Sequence, residues 1–195
     1  MTGMRNTYRQ FDPHRIHRWG VPSLLSLVTF GVYPATLAPG LTWSHEGADG
    51  GDLITAAYTL GIPHPTGYPL YTLLGRLFSL LPVGNVAYRL HLMSATCAAL
   101  TAFVFYAWVR GWLRRALPSL PELPCTVAST AASLLLAFSR LLWSQALIAE
   151  VYALNALAVT SVLYLLWRWE SAPEGSDTSA LALCALSALS GLPRK

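Results

Sequence analysis

Four stretches of this sequence, residues 21–39, 90–109, 123–139 and 151–167, run without an acidic, lysine or arginine side chain for the length of a membrane crossing. Arg18 precedes the first, Arg89 and Arg110 bracket the second, Glu122 and Arg140 the third, and Glu150 and Arg168 the fourth. A hydrocarbon core takes roughly 20 apolar residues as helix, with about 17 as a practical minimum. The expectation is therefore an all-α, polytopic membrane helical bundle with four spans, and residues 178–193 would begin an incomplete fifth. Composition points the same way. The 195 residues are 54% hydrophobic and 11% charged, with a mean hydropathy of +0.45, far from the roughly one-quarter charged make-up of soluble domains.

A pI of about 9.1 could suggest nucleic acid, but the basic residues sit in short flanks beside apolar runs, where they read as topology signals. No nucleic-acid partner is expected. Arg5, Arg9, Arg15 and Arg18 precede the first span and Arg110, Arg114 and Arg115 follow the second, while the loop 40–89 between them holds only Arg76 and, at its edge, Arg89. The positive-inside rule then makes residues 1–20 a cytoplasmic segment and puts the loop 40–89 on the outer face, with Trp143 at the same boundary as an aromatic anchor. The segment 170–195 carries Glu170, Glu174 and Asp177 before its short apolar run, and it ends in Arg194 and Lys195. So brief a final run reads as a truncated or frame-shifted piece of a longer parent. No cleavable signal is evident. Cys97, Cys125 and Cys184 form no CxxC pair and match neither a disulfide framework nor a zinc site.

Residues 53–75 are apolar enough for another span but have the wrong grammar. Pro63, Pro65 and Pro69 remove backbone donors, and Gly61 and Gly67 interrupt the run. Unpaired backbone groups are costly in hydrocarbon. The pattern predicts two short helices joined by a rigid turn, about 53–60 and 70–81. Asp52 would cap the first and Gly61 end it. The second would lie along the membrane surface with Arg76 at the headgroups, ended by Pro82 and Gly84.

Asp49 and Asp52 bracket Gly50 and Gly51 at the start of this unit. If Asp52 is the cap, Asp49 is left as a candidate general base at the membrane surface, or as a plain solvated loop acid. His45, Glu46, His64 and His91 match no metal-ligand spacing, so no metal site is expected. Arg89, at the outer end of the second span, suits either a lipid phosphate or a snorkelling anchor. Glu150 interrupts an otherwise apolar stretch, and such ionisable residues default to functional candidates. Asn155 lies about 140° round an ideal helix from it, off any shared narrow face.

The segments "YPATLAPGLTW", "DGGDLITAAYTLGIPHPTGYPLYTLLGRLFSLLPVGNVAYRLHLMSA" and "WSQALIAEVYALNAL" closely resemble the bacterial family catalogued as domain of unknown function 2723. That family is similar to the eukaryotic transmembrane protein 260 O-mannosyltransferases. The resemblance covers residues 33–169, and "GIPHPTGYPLY" is its most specific part. It implies the N-terminal portion of a GT-C type glycosyltransferase with short helices in its first outer loop and an acidic base among them. The usual Asp-Ser-Gly-Glu-Phe pattern reads Asp49-Gly50-Gly51-Asp52-Leu53 here, and His91 stands where many relatives have Asn.

By the same resemblance, Asp49 would take the acceptor proton as a sugar, mannose favoured, moves with inversion from a polyprenyl-phosphate donor to a hydroxyl of a protein or glycan. Asp52, Glu150, His64 and Tyr68 would support the site, and Arg89 and Arg76 would steady the donor phosphate, with no cofactor beyond the lipid-linked substrate. The setting implied is a multi-pass bacterial cell-membrane protein with a cytoplasmic N-terminus. Transport stays open as an alternative, because helices broken by Pro and Gly also build transporter sites, and so does a non-catalytic membrane scaffold.

Overall fold

In a computed structural model of the chain, residues 16–42 and 44–171 are described. Arg5, Arg9 and Arg15, the acidic loop beyond 171, Cys184, the incomplete fifth span and the basic tail lie outside them.

All regular structure among the described residues is helical. After a turn at Ile16–Gly20 come α1 (Val21–Val32), two 3-10 turns (Tyr33–Thr36 and Ser44–Asp49), α2 (Gly50–Thr59), α3 (Pro69–Ser79), α4 (Val86–Ala116), α5 (Glu122–Ala137), α6 (Arg140–Ala146) and α7 (Tyr152–Glu170). The long helix α4 is the axis against which α1, α3, α5, α6 and α7 pack. Its alanines explain why: Ala95, Ala98, Ala99 and Ala102 are fully buried, so neighbouring backbones approach closely, and Leu90, Met93 and Tyr106 fill the spaces between them.

The predicted spans change shape. One helix, α4, is long and apolar enough to cross a membrane. At about 1.5 Å per residue its 31 residues reach some 46 Å, overrunning the expected 90–109 at both ends. Asn85 sets its start by accepting from the Tyr88 N–H at 2.9 Å, while its amide donates to Pro39 O at 2.8 Å. The first span breaks where Pro34 tightens the chain into a 3-10 turn, leaving α1 with 12 residues. The third ends at Phe138, Ser139 caps a new helix, and α5 and α6 meet at 60°, a second candidate crossing only if the bent pair counts as one. Tyr33 spans this break, its hydroxyl donating to Ala137 O at 2.7 Å. The fourth becomes α7, two-ended in character because Arg168 and Glu170 fall in its last turn. One or two crossings are thus what length and composition support among the described residues, in place of four.

At the other end of α4, Glu122 at the start of α5 pairs with Arg110, at 2.5 Å, and with Arg114, closing the α4–α5 hairpin.

The outer-loop helices form where the prolines and glycines demand. Pro69 occupies the first position of α3, where its missing N–H costs nothing. Tyr71, Thr72, Gly75 and Ser79 face inward, while Leu70, Leu73 and Leu77 are more than half exposed. α2 and α3 cross at Gly75, and a Cβ there would sit 2.7 Å from Ala57 Cβ. Gly75→Ala therefore overpacks the crossing and is expected to cost about 1–3 kcal/mol. Gly31, with nothing within 4 Å of a built Cβ, is the control. Chemical unfolding of the two alanine variants in detergent checks this, with Gly31→Ala neutral or mildly stabilising.

Candidate functional site

The two aspartates exchange the places expected of them. α2 begins at Gly50, so Asp49 is its flanking residue and Asp52 already lies in its first turn; neither side chain caps the helix. Leu60, with φ of 56°, takes the left-handed terminal position that Gly61 was expected to fill. Gly61 N–H then closes the helix end on Ala56 O. The reason Asp52 does not cap is twelve residues away. Its Oδ2 accepts from the His64 backbone N–H at 2.8 Å and pairs with His64 Nδ1 at 2.8 Å.

This double contact folds the proline segment back onto α2. The chain reverses into it through Leu60, at φ of 56°, and leaves it toward α3 through Gly67, at φ of 87°, and Tyr68, at φ of 38°. The Tyr68 ring then meets the imidazole edge-on, centroids 5.5 Å apart. The opposite ring nitrogen, Nε2, comes to 3.7 Å from Asp49 Oδ2. His64 therefore stands between two carboxylates, with side-chain exposures of 60% for Asp49, 50% for Asp52 and 36% for His64. The hydrogen bonds from His64, backbone first and ring second, hold the Asp52 carboxyl below its ordinary range. The bond to Asp52 raises the His64 imidazole, with smaller pushes from Asp49, Asp52 and Glu150. Spacing alone matches His64 to no metal-ligand pattern and gives no hint of this bond, because a contact between a helix's first turn and the chain just past its end leaves no periodic trace.

Glu150 lies behind this cluster. It follows the segment Ile148–Ala149, which packs on the start of α2: a Cβ on Gly50 would sit 3.5 Å from Ala149 O, and Gly47 approaches Ile148. Glu150 is only 3% exposed, and its Oε1 has no hydrogen-bond partner among the described residues. Burial raises its carboxyl, and the nearby Asp49 charge adds to that, while the backbone N–H groups of Val151 and Asp49 pull the other way. Tyr71, which the sequence reading did not single out, is buried in the same region. Its hydroxyl is likewise unpartnered, and it feels the Glu150 charge. Its place three residues after Tyr68 on the inward face of α3 was the available signal.

Arg76 and Arg89 stand apart from the aspartates in the hydrogen bonds they make. Arg76 Nη1 donates to Tyr58 O at 2.7 Å, near the end of α2, and its guanidinium lies 5.6 Å from the Tyr58 ring centre. Arg89 donates to Ser79 O, Val83 O and Gly84 O at 2.7, 2.7 and 3.0 Å. Each thereby satisfies carbonyls at a helix C-terminus, where cations are favoured. His91 is buried in α4 with Nδ1 3.1 Å from Ala38 O. Gln145 Nε2 reaches His45 O at 3.3 Å. Trp143 packs 5.2 Å from Phe138, with Nε1 donating to Thr36 Oγ1 at 3.4 Å. Cys97 and Cys125 are buried free thiols. No group of three or more His, Cys, Asp or Glu is placed to hold a metal ion among the described residues.

Residues 49–192 match the family described as the N-terminal domain of protein O-mannosyl-transferase TMEM260. The mouse protein O-mannosyl-transferase TMEM260 is 37% identical over 163 residues, covering 80% of this chain and 21% of that protein. The Dictyostelium discoideum protein O-mannosyl-transferase tmem260 is 29% identical over 137 residues, covering 69% of this chain and 15% of that protein. The chain thus spans about a fifth or less of the length of these relatives. No solved structure matches it.

The Asp52–His64 lock has a pH window set by its two partners. Asp52 is depressed, so its contribution is complete above the ordinary carboxylate value of about 4 and is lost as pH falls through its lower folded value. His64 is raised, so its contribution is complete below about 6.5 and is lost as pH rises through its higher folded value. Between those limits, Asp52→Asn is expected to speed amide hydrogen exchange at His64 by up to about tenfold, the factor one net hydrogen bond supplies. Asp49→Asn, which removes no bond to that N–H, should leave the His64 exchange rate nearly unchanged.

Proposed function

The chain belongs to the family of the TMEM260 protein O-mannosyl-transferase N-terminal domain, and from that premise we propose that it carries the acceptor-activating loop of a membrane glycosyltransferase. In this reading the reaction moves mannose from a polyprenyl-phosphate donor to a protein hydroxyl on the outer face of a membrane, with inversion at the sugar, as in GT-C type enzymes. The observation that carries it is the placement of Asp49: an exposed carboxylate at the mouth of a rigid, locked loop, beside a buried acid and a histidine.

A general base must be reachable by the hydroxyl it deprotonates and must not be consumed by structural bonds. Asp49 fits, because Asp52 takes over the loop-locking bonds and leaves Asp49 with only the 3.7 Å approach of His64. As the acceptor oxygen attacks the anomeric carbon, Asp49 takes its proton and the bond to the donor phosphate breaks. Buried Glu150, its carboxyl raised by burial and by the neighbouring Asp49 charge, lies behind Asp49 at the back of the site.

Arg76 and Arg89 remain the proposed donor-phosphate contacts. A guanidinium carries five N–H groups. The observed carbonyl bonds use one on Arg76 and three on Arg89, so both keep donors while being fixed at helix ends. The exposed leucine face of α3 supports its placement flat on the lipid surface. The multi-pass arrangement with a cytoplasmic N-terminus belongs to the same proposal and rests on the distribution of the arginines along the sequence.

The test uses the full-length parent of this chain, purified in nanodiscs with polyprenyl-phosphate-linked radiolabelled mannose and a serine- and threonine-containing peptide. Label is expected on the peptide, and Asp49→Asn is expected to reduce the rate by about 10²–10⁴, the usual worth of a positioned base. Undiminished transfer by Asp49→Asn would remove Asp49 as base. No transfer by the unaltered full-length parent would contradict the transferase reading and favour a transporter or a scaffold.

A further inference from the structure

We propose that His64 is a proton relay for Asp49, passing to water the proton that Asp49 takes from the acceptor. The inference rests on the transferase reading above and adds to it the fate of that proton and the residue that handles it.

The geometry is directional. His64 Nδ1 lies 2.8 Å from Asp52 Oδ2, a carboxylate that can only accept, so the Nδ1 position carries the proton. In the neutral ring this leaves Nε2 as a lone pair, and Nε2 is the nitrogen 3.7 Å from Asp49 Oδ2. The backbone bond from His64 N–H to the same Asp52 oxygen prevents the ring from swinging away, and Tyr68 braces it from the side. The imidazole is about one-third exposed, so it reaches water directly. Glu150, the third acid acting on this ring, is buried and approaches from the α6–α7 connection.

The steps balance. The acceptor O–H bond breaks as its oxygen bonds to the anomeric carbon, and the phosphate leaves with the electron pair of the broken sugar–oxygen bond. Asp49 holds the released proton. A closing of well under 1 Å brings Nε2 to hydrogen-bond distance, and the proton moves from the Asp49 carboxylic acid to the more basic imidazole. The imidazolium, paired with Asp52, then gives a proton to water and returns to its starting form. Asp49 is restored as a carboxylate, ready for the next acceptor. Asp52 acts as a positioning residue, fixing the tautomer and the ring plane.

A relay requires His64 to be neutral at the start, so transfer should fall as pH drops through the His64 titration. The carboxylates around the ring, Asp49 just before α2, Asp52 in its first turn and Glu150 from the α6–α7 connection, all favour its charged form, so this acid limb lies above the ordinary histidine value. In the nanodisc assay, His64→Ala is expected to transfer at least about tenfold more slowly, to lose that acid limb, and to regain rate when free imidazole is added. Asp52→Asn should move the limb to lower pH. His64→Gln, which keeps an amide donor for the loop, should be slow and lack the limb, so a folding defect in the alanine variant does not decide the matter. Independently of activity, the ring titration of His64 followed by NMR should shift to lower pH in Asp49→Asn, because the two groups face each other. Equal rates and an unchanged limb in His64→Gln, or an unmoved His64 titration in Asp49→Asn, would overturn the relay. A wild-type full-length parent that transfers no mannose would instead overturn the transferase reading beneath it.

Discussion

One carboxylate oxygen organises the candidate site. Asp52 Oδ2 receives both the backbone N–H and the ring nitrogen of His64, and through them a segment with three prolines is folded against the first turn of α2. Without that bond the segment between Leu60 and Pro69 would have few ties to the rest of the chain, since its other backbone bonds, Gly61 N–H to Ala56 O, Gly67 N–H to His64 O and Thr72 N–H to Tyr68 O, are all local. With it, the segment becomes a wall beside Asp49. The lock lies at the surface, so its strength comes from a charge-assisted, two-point geometry on a backbone already restricted by proline.

Support for the wall comes from the long helix below it. Leu53, Ala57, Tyr71, Leu90, Met93 and Ala149 form a shared buried cluster, joining α2, α3, α4 and the connection that carries Glu150. Gly75 lets α2 and α3 meet at contact distance, and Arg76 and Arg89 finish the ends of those same helices by satisfying their carbonyls. Apolar packing thus fixes the platform, and a few polar bonds fix the loop upon it. A buried acid without a partner on one oxygen, directly behind the exposed one, is the kind of local disagreement with folding rules that concentrates at functional sites.

Much of this was legible in the sequence where one residue decides the local backbone. Pro69 on one side and Pro82 with Gly84 on the other mark α3 to within two residues at either end, and the absence of charge in 90–109 marks the core of α4. The apolar runs were less reliable guides to helix length. Pro34 and Ser139 break two of them, because a proline or a good capping residue outweighs composition at the point where it stands. The site was half legible. Asp49 and Asp52 could be named as the candidate acids and the resemblance put His64 among the supporting residues, yet Asp52 was expected to cap a helix and nothing in the spacing paired it with His64. Their bond joins residues twelve apart through a turn of irregular dihedrals, and neither periodicity nor spacing encodes that. Arg89 was visible as a boundary residue, but its three bonds to carbonyls could be seen only once the turn at 80–85 had a shape.

The central claim is that Asp49 deprotonates an acceptor that displaces the donor phosphate directly, with no covalent sugar–enzyme intermediate. The anomeric configuration of the product tests it most directly. Mannose transferred from a β-linked polyprenyl-phosphate donor should appear on the peptide hydroxyl in the α configuration, read from the one-bond carbon–hydrogen coupling of the anomeric carbon by NMR. A β-linked product would mean retention, and would contradict the assignment of Asp49 as the base of a single displacement.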